Sequence, residues 1–220
     1  MKLDSGRILA STYVGLYASI TNKVGLFPKN VDKKHIKEFE EFFGIEIIQT
    51  SIASSPLIGA LVRGNSKGFL LPKIAEESEI DELKNFGIKT KVINEDCTAL
   101  GNLIAMNDNH IIISEVFGTK TVKQIEKFFD MKVLVNNFAK SQLTGSSLLM
   151  TNKGFIVNPG IAKQEFEFIK KTLKIEGEAT TANYGDAFVS NSVLANDEGV
   201  LVGEKTTSHE VTRIDSALRK

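Results

Sequence analysis

Apolar and polar positions in this chain fall into a pattern that recurs five times. The clearest copy is Gly59-Ala60-Leu61-Val62-Arg63-Gly64-Asn65-Ser66-Lys67-Gly68-Phe69-Leu70-Leu71-Pro72. It reads as a short apolar strand, a polar turn from Asn65 to Gly68, and a second apolar strand stopped by proline. Gly15, Gly101, Gly145 and Ser190 open similar stretches. Their turns contain Thr21-Asn22-Lys23, Asn107-Asp108-Asn109-His110, Thr151-Asn152-Lys153-Gly154 and Asn196-Asp197-Glu198-Gly199. The openers are spaced by about 44 residues, a period that signals modular architecture.

Each copy continues in the same way. Asp32 can cap a helix over 33–43, with Ile36, Phe39 and Phe43 on one face and Gly44 as its stop. Residues 45–49 then alternate like a half-buried strand. In the second copy Ser78 is the expected cap, Ile80, Leu83 and Phe86 the inward face, Gly87 the stop and 88–92 the strand. The third has the stripe Val122, Ile125 and Phe128 and a strand at 131–135. The fourth has Phe166, Ile169 and Leu173, with a strand beginning at Ile175. In the fifth, Thr207 and Glu210 have capping-box spacing, followed by Val211, Ile214 and Leu218.

The fifth copy ends at its helix and lacks a last strand. Residues 7–12, which precede Gly15 as 47–51 precede Gly59, are the predicted replacement. The expected unit is strand, strand, helix, strand. The expected domain is one α+β ring spanning 1–220, with repeats near 13–55, 56–99, 100–142, 143–187, and 188–220 plus 1–12. One unit alone is too small to bury its faces, and closure removes the need for polar end caps.

Composition narrows the function classes. The 220 residues carry 27 basic and 27 acidic side chains, so the net charge is zero. Such a chain has no general attraction to nucleic acid or anionic membrane. Cys97 is the only cysteine, which excludes an internal disulfide and a cysteine metal cluster. His35, His110 and His209 show no metal-ligand spacing. No apolar run reaches membrane-spanning length and the first residues do not read as a signal peptide, so a cytoplasmic protein without membrane contact, cofactor or metal is expected.

Ser51-Ile52-Ala53, Ile58-Gly59, Gly64-Asn65-Ser66-Lys67-Gly68-Phe69-Leu70-Leu71-Pro72, Thr98-Ala99-Leu100-Gly101-Asn102, Thr180-Thr181-Ala182-Asn183-Tyr184-Gly185 and Asn196-Asp197 carry a resemblance. Over essentially its full length the chain resembles the translation initiation factor six family in its archaeal form, the ribosome anti-association factors. That family is a pentein, a five-bladed β/α ring, in agreement with the repeat spacing. The resemblance implies a binding protein and not an enzyme. Its expected partner is the large ribosomal subunit, met mainly through ribosomal proteins with room for a local contact to ribosomal RNA. A monomer is expected, acting by excluding the small subunit and taking part in large-subunit biogenesis. The implied interface residues are Asn102, Asn65 and Gly68, with Lys67 in the same turn. Ala60, Ser66 and Ser147 stand at interface-linked positions but differ in type from the eukaryotic relatives, and the long eukaryotic C-terminal tail has no counterpart in this sequence.

Plainer readings stand beside these. The recurring glycines fit architecture better than binding, because only one side of a ring can meet a partner. Asn65 to Gly68 is first a hairpin turn. On a continuous strand Gly59 and Asn65 would lie ~20 Å apart. The phenylalanine stripes are core, and Lys170, Lys171 and Lys174 read as a solvated face. The rival function is a pentein guanidino-group hydrolase or transferase with Cys97 as nucleophile and His110 and nearby acids in support. It would require a cation or helix N-terminus to activate the thiol and a base within reach, and the sequence shows neither.

Overall fold

The computed structural model describes residues 1–219; Lys220, the end of the fifth unit as bounded from sequence, lies outside the described residues. The chain opens with β1 (Lys2–Gly6). The first unit runs α1 (Val14–Tyr17), β2 (Ser19–Ile20), β3 (Val24–Pro28), α2 (Lys33–Phe43) and β4 (Glu46–Thr50). The second has α3 (Ile58–Leu61), β5 (Arg63–Asn65), β6 (Gly68–Pro72), α4 (Glu77–Asn85) and β7 (Thr90–Ile93). The third has α5 (Leu100–Leu103), β8 (Ile104–Met106), β9 (Ile111–Ile113), α6 (Thr119–Phe129) and β10 (Val133–Val135). The fourth has α7 (Thr144–Ser147), β11 (Leu148–Met150), β12 (Gly154–Val157), α8 (Lys163–Leu173) and β13 (Glu176–Ala179). The fifth has α9 (Val189–Ser192), β14 (Val193–Ala195), β15 (Gly199–Gly203) and α10 (Ser208–Leu218).

Every unit builds one three-stranded sheet. Its middle strand pairs antiparallel with the strand before it and parallel with the strand after the long helix, as β6 does with β5 and β7. The tight polar turn makes the first pairing; the helix is the crossover that a parallel pairing requires. The fifth sheet is completed by the other end of the chain: β1 pairs parallel with β15, Lys2 opposite Gly199 and Gly6 opposite Gly203. Closure by the N-terminus is as expected, but the strand lies at 2–6 and not at 7–12. Residues 8–11 make a reversal, with Leu9 and Ala10 at φ 50° and 62°. The error has a physical cause. β1 is a largely exposed edge strand whose alternation carries little apolar signal, whereas Ile8 is buried in the turn.

The second departure is the start of each unit. Gly15, Gly59, Gly101, Gly145 and Ser190 sit in single helical turns and not in strands. The five turns, α1, α3, α5, α7 and α9, touch in sequence around the ring and close on themselves. The glycines are the contact points. A Cβ on Gly59 would collide with Gly15 O, one on Gly101 with Gly59 O, and one on Gly145 with Gly101 O; at Gly15 the obstacle is Ser190 O. Backbone meets backbone without room for a side chain, which is the reason glycine recurs here. We call this ring the collar.

The long helices cover the outside of the sheets. Asp32 caps α2, accepting from Lys34 N at 2.7 Å, and Gly44 ends it in the left-handed conformation at φ 66°. Thr207 and Glu210 form the expected capping box of α10. For α4 the cap is Glu76 with Glu79, and the expected Ser78 falls inside the first turn. That helix ends at Asn85, so Phe86 leaves helical phase and is exposed instead of inward. In α6 the deepest positions are Thr121, Ile125 and Phe129, with Val122 and Phe128 packed at the margin. Phe27, Phe43, Phe69, Phe129, Phe138 and Phe155 are fully buried. At about 1.5–3 kcal/mol each, such side chains supply much of the driving force.

Two buried carboxylates tie the crossovers down. Glu79 accepts from Ala53 N, Ser54 N, Glu76 N and Ser51 Oγ at 2.7–3.0 Å. Glu210 does the same for Tyr184 N, Gly185 N, Thr207 N and Thr181 Oγ. Each thus caps its helix and also feeds the N–H groups of a reversal whose residues, such as Ala53 and Ser54 at φ 53° and 55°, sit in strained left-handed geometry. Burial pushes both carboxyl pKa values up, but these hydrogen bonds outweigh it and leave them below the ordinary range.

Candidate functional site

The first strands of the five units, β2, β5, β8, β11 and β14, surround a central channel. Each runs from a collar turn to a hairpin turn, so the channel has a collar end and a hairpin end. A cavity of about 50 Å³ lies inside.

The hairpin end is sealed by polar side chains. Asn22 Nδ2 donates to Asp108 Oδ2 at 2.8 Å and to Asp197 Oδ2 at 2.9 Å. Asn152 Nδ2 donates to the same two oxygens at 3.1 and 2.8 Å. Two amides and two carboxylates therefore form a closed cycle across the channel. Asp108 also accepts from Ser66 N, and Asp197 from Asn152 N. Burial would raise the Asp108 pKa; its hydrogen bonds from Ser66, Asn22 and Asn152 hold it below the ordinary value, so it stays ionised in the cycle. Behind it, Asn65 Nδ2 reaches Asn107 O, Asn107 Nδ2 reaches Thr151 O, and Asn196 Nδ2 reaches Phe43 O, stitching units together.

The collar end is different in character. The residues leading into the helical turns are Tyr13, Leu57, Ala99, Leu143 and Phe188. Tyr13, Leu57 and Leu143 are 44%, 38% and 37% exposed. Together they make an apolar crown around the collar. Four of the five are braced alike: the N–H of Tyr13, Leu57 and Leu143 donates to Ser11, Ser55 and Ser141 Oγ, and that of Phe188 to Asp186 Oδ1. In the third unit the residue equivalent to these bracing groups is Cys97, exposed in its loop. Asn102, in α5 beside the crown, is half-buried, and its side-chain amide makes no hydrogen bond to the described residues.

The residues singled out from sequence divide between the two ends. Ala60 and Asn102 lie in the collar turns. Ser147 lies there too, but it is fully buried and its hydroxyl has no partner. Asn65, Ser66, Lys67 and Gly68 belong to the hairpin end. Asn65 is buried, accepts from Lys67 N at 2.9 Å and braces the turn. Lys67 Nζ donates to Phe129 O, and Gly68 packs on the Lys89 carbonyl. Asn65 and Ser147 are thus buried, and Asn65 and Gly68 shape the hairpin turn. The crown, the amide–carboxylate cycle and Arg63 were not singled out. Each becomes visible when the five copies are aligned column by column, because the glycine column fixes the register of all the others.

Nothing here assembles a nucleophilic site. Cys97 is at the collar side, in the place of a turn-bracing serine, and does not line the cavity. His110 is at the hairpin end, its pKa lowered by burial and by Lys174. One strand separates them, so no thiol–imidazole pair forms. Among the described residues no cluster of His, Cys, Asp or Glu could hold a metal ion, and no helix is long and apolar enough to cross a membrane.

The fold class is that of the penteins. A crystal structure of a dimethylarginine dimethylaminohydrolase variant in adduct with S-methyl-L-thiocitrulline has a similar fold, with a TM-score of 0.51 over 94% of this chain and 73% of that one. Sequence identity is 13%, so the likeness is one of fold alone. The family follows from the sequence comparisons. Residues 4–217 match the eIF-6 family model. The chain is 36% identical to translation initiation factor 6 of Methanocaldococcus jannaschii over 93% of its own length and 92% of the relative's. It is 32% identical to the protein of that name from Thermoplasma acidophilum and 33% to that from Pyrococcus abyssi. The chain belongs to the eIF-6 family, a family of non-enzymatic translation factors.

Proposed function

We propose that this protein binds the large ribosomal subunit and, by occupying space there, keeps the small subunit from joining, with a part in large-subunit biogenesis. The names of its relatives support the setting in translation. The observation that carries the binding reading is the apolar crown at the collar, with the uncommitted Asn102 amide beside it. An exposed apolar cluster rimmed by polar groups marks a protein contact, and zero net charge suits a ribosomal-protein partner better than a wide RNA surface. A monomer acts here as a rigid wedge, and a specific interface needs about 1,000 Å², which the collar face must supply beyond the crown itself.

Sucrose-gradient sedimentation tests the reading. Added protein should comigrate with large subunits and reduce joined ribosomes; failure to comigrate at both low and moderate salt rejects it. Asn102→Lys is expected to weaken comigration by about tenfold or more, equivalent to the loss of ~1.4 kcal/mol, with little change in melting temperature. A large loss of stability would assign Asn102 to the fold instead.

A further inference from the structure

The central cavity contains a positive charge that the protein does not neutralise. Arg63 opens β5 where the other units have Ser19, Ala105, Leu149 and Leu194. Arg63 is half-buried as a residue, and desolvation lowers its guanidinium pKa to about 10. The residue lines the cavity. Nη2 donates to Gly101 O at 2.6 Å, tying the second unit to the third. Nε is buried and meets no acceptor. No carboxylate among the described residues forms an ion pair with it. The acids lining the same cavity, Asp108 and Asp197, are engaged by Asn22, Asn152 and backbone N–H groups. They lie toward the hairpin end, ~10 Å along the strand from position 63 to position 66. A second buried hydroxyl without a partner, Ser190 Oγ, lines the cavity as well.

A buried cation is costly unless a counter-charge and hydrogen-bond acceptors meet it. We propose that the cavity binds one small monovalent anion, of halide size, held by Arg63 through Nε. The volume of about 50 Å³ suits such an ion with a few waters better than a larger anion such as gluconate. Ile20, Leu149 and Leu194 supply an apolar wall, which strengthens a charge-assisted hydrogen bond. The ion neutralises the guanidinium that bridges two units inside the ring. It is a structural ligand, separate from the crown, and affects stability and not subunit binding.

Bromide is the probe. Crystals grown with gluconate as the anion and soaked in sodium bromide should show an anomalous peak in the channel within hydrogen-bond reach of Arg63 Nε, absent in Arg63→Met. In solution at constant ionic strength, with gluconate replaced by bromide, the wild-type melting temperature should rise by about 3–5 °C per tenfold increase above the dissociation constant. Arg63→Met should show no such rise. Only water at Arg63 in bromide-soaked wild-type crystals overturns the proposal, as does an equal bromide response in Arg63→Met. If that variant does not fold, the wild-type anomalous map decides alone.

Discussion

A single methyl group added at Gly101 should open the ring. In the native collar a Cβ at this position would collide with Gly59 O and would stand 2.9 Å from Gly59 C and 3.0 Å from Ala60 C. An ordinary carbon–oxygen contact needs about 3.3 Å, so α3 and α5 must separate or distort. Neither can retreat freely, because each is pressed on its other side by the next collar turn. Overpacking typically costs 1–3 kcal/mol; with backbone on both sides of a closed ring, Gly101→Ala belongs at about 3 kcal/mol. For a chain of this size that is a melting-temperature drop of about 6–12 °C. Gly87→Ala is the control. Gly87 has positive φ, at 75°, but open space around its Cβ position. Only backbone strain acts there, about 1 kcal/mol, or 2–4 °C. Differential scanning calorimetry of both variants separates clash from strain. If Gly101→Ala melts no lower than Gly87→Ala, the collar is not the tight junction described.

Further outcomes follow from the buried polar groups. Glu79→Gln should cost about 3 kcal/mol, read as a lower denaturation midpoint. The amide nitrogen cannot accept the bonds made at one carboxylate oxygen, such as those from Ala53 N and Glu76 N at Oε2, and the bonds kept at the other lose their charge assistance. Because Glu79, Glu210 and Asp108 all have pKa values below the ordinary range, the wild type should keep this stability above the unfolded carboxyl pKa near ~4 and lose it as pH falls through the folded values. Glu79→Gln should show a shallower acid loss in a pH series of denaturant melts. Asp197→Asn should destabilise by about 1–3 kcal/mol, since an amide now faces the Asn22 and Asn152 donors, whereas subunit comigration should persist if the collar is the binding face. Cys97→Ala should leave both melting temperature and comigration unchanged, and the native thiol should react quickly with a thiol reagent; slow labelling would contradict its exposed position.

The repeat could be read directly because the amino acids that specify it are local. A hairpin turn needs Thr or Asn to accept its N–H groups, a long amphipathic helix needs its apolar stripe and stop, and these signals recur at fixed intervals. The family motifs added the fold and the setting in translation. Two kinds of feature were hidden. A four-residue helical turn has too few residues for a period to show, so Gly59-Ala60-Leu61 passed for strand. An exposed edge strand has no apolar alternation, so 2–6 was overlooked in favour of 7–12.

Only the closed structure decided what the repeated positions do. Asn22, Asp108, Asn152 and Asp197 are far apart along the chain and become one hydrogen-bonded cycle because ring closure brings equivalent positions to one axis. The same closure puts Asn102 and Asn65 at opposite ends of a channel, buries Ser147, and turns Arg63 inward, since burial and direction depend on neighbours that other units supply. Sequence alone set the unit and its count; the meeting of the units around an axis set which side chains are sealed, which are strained and which face a partner.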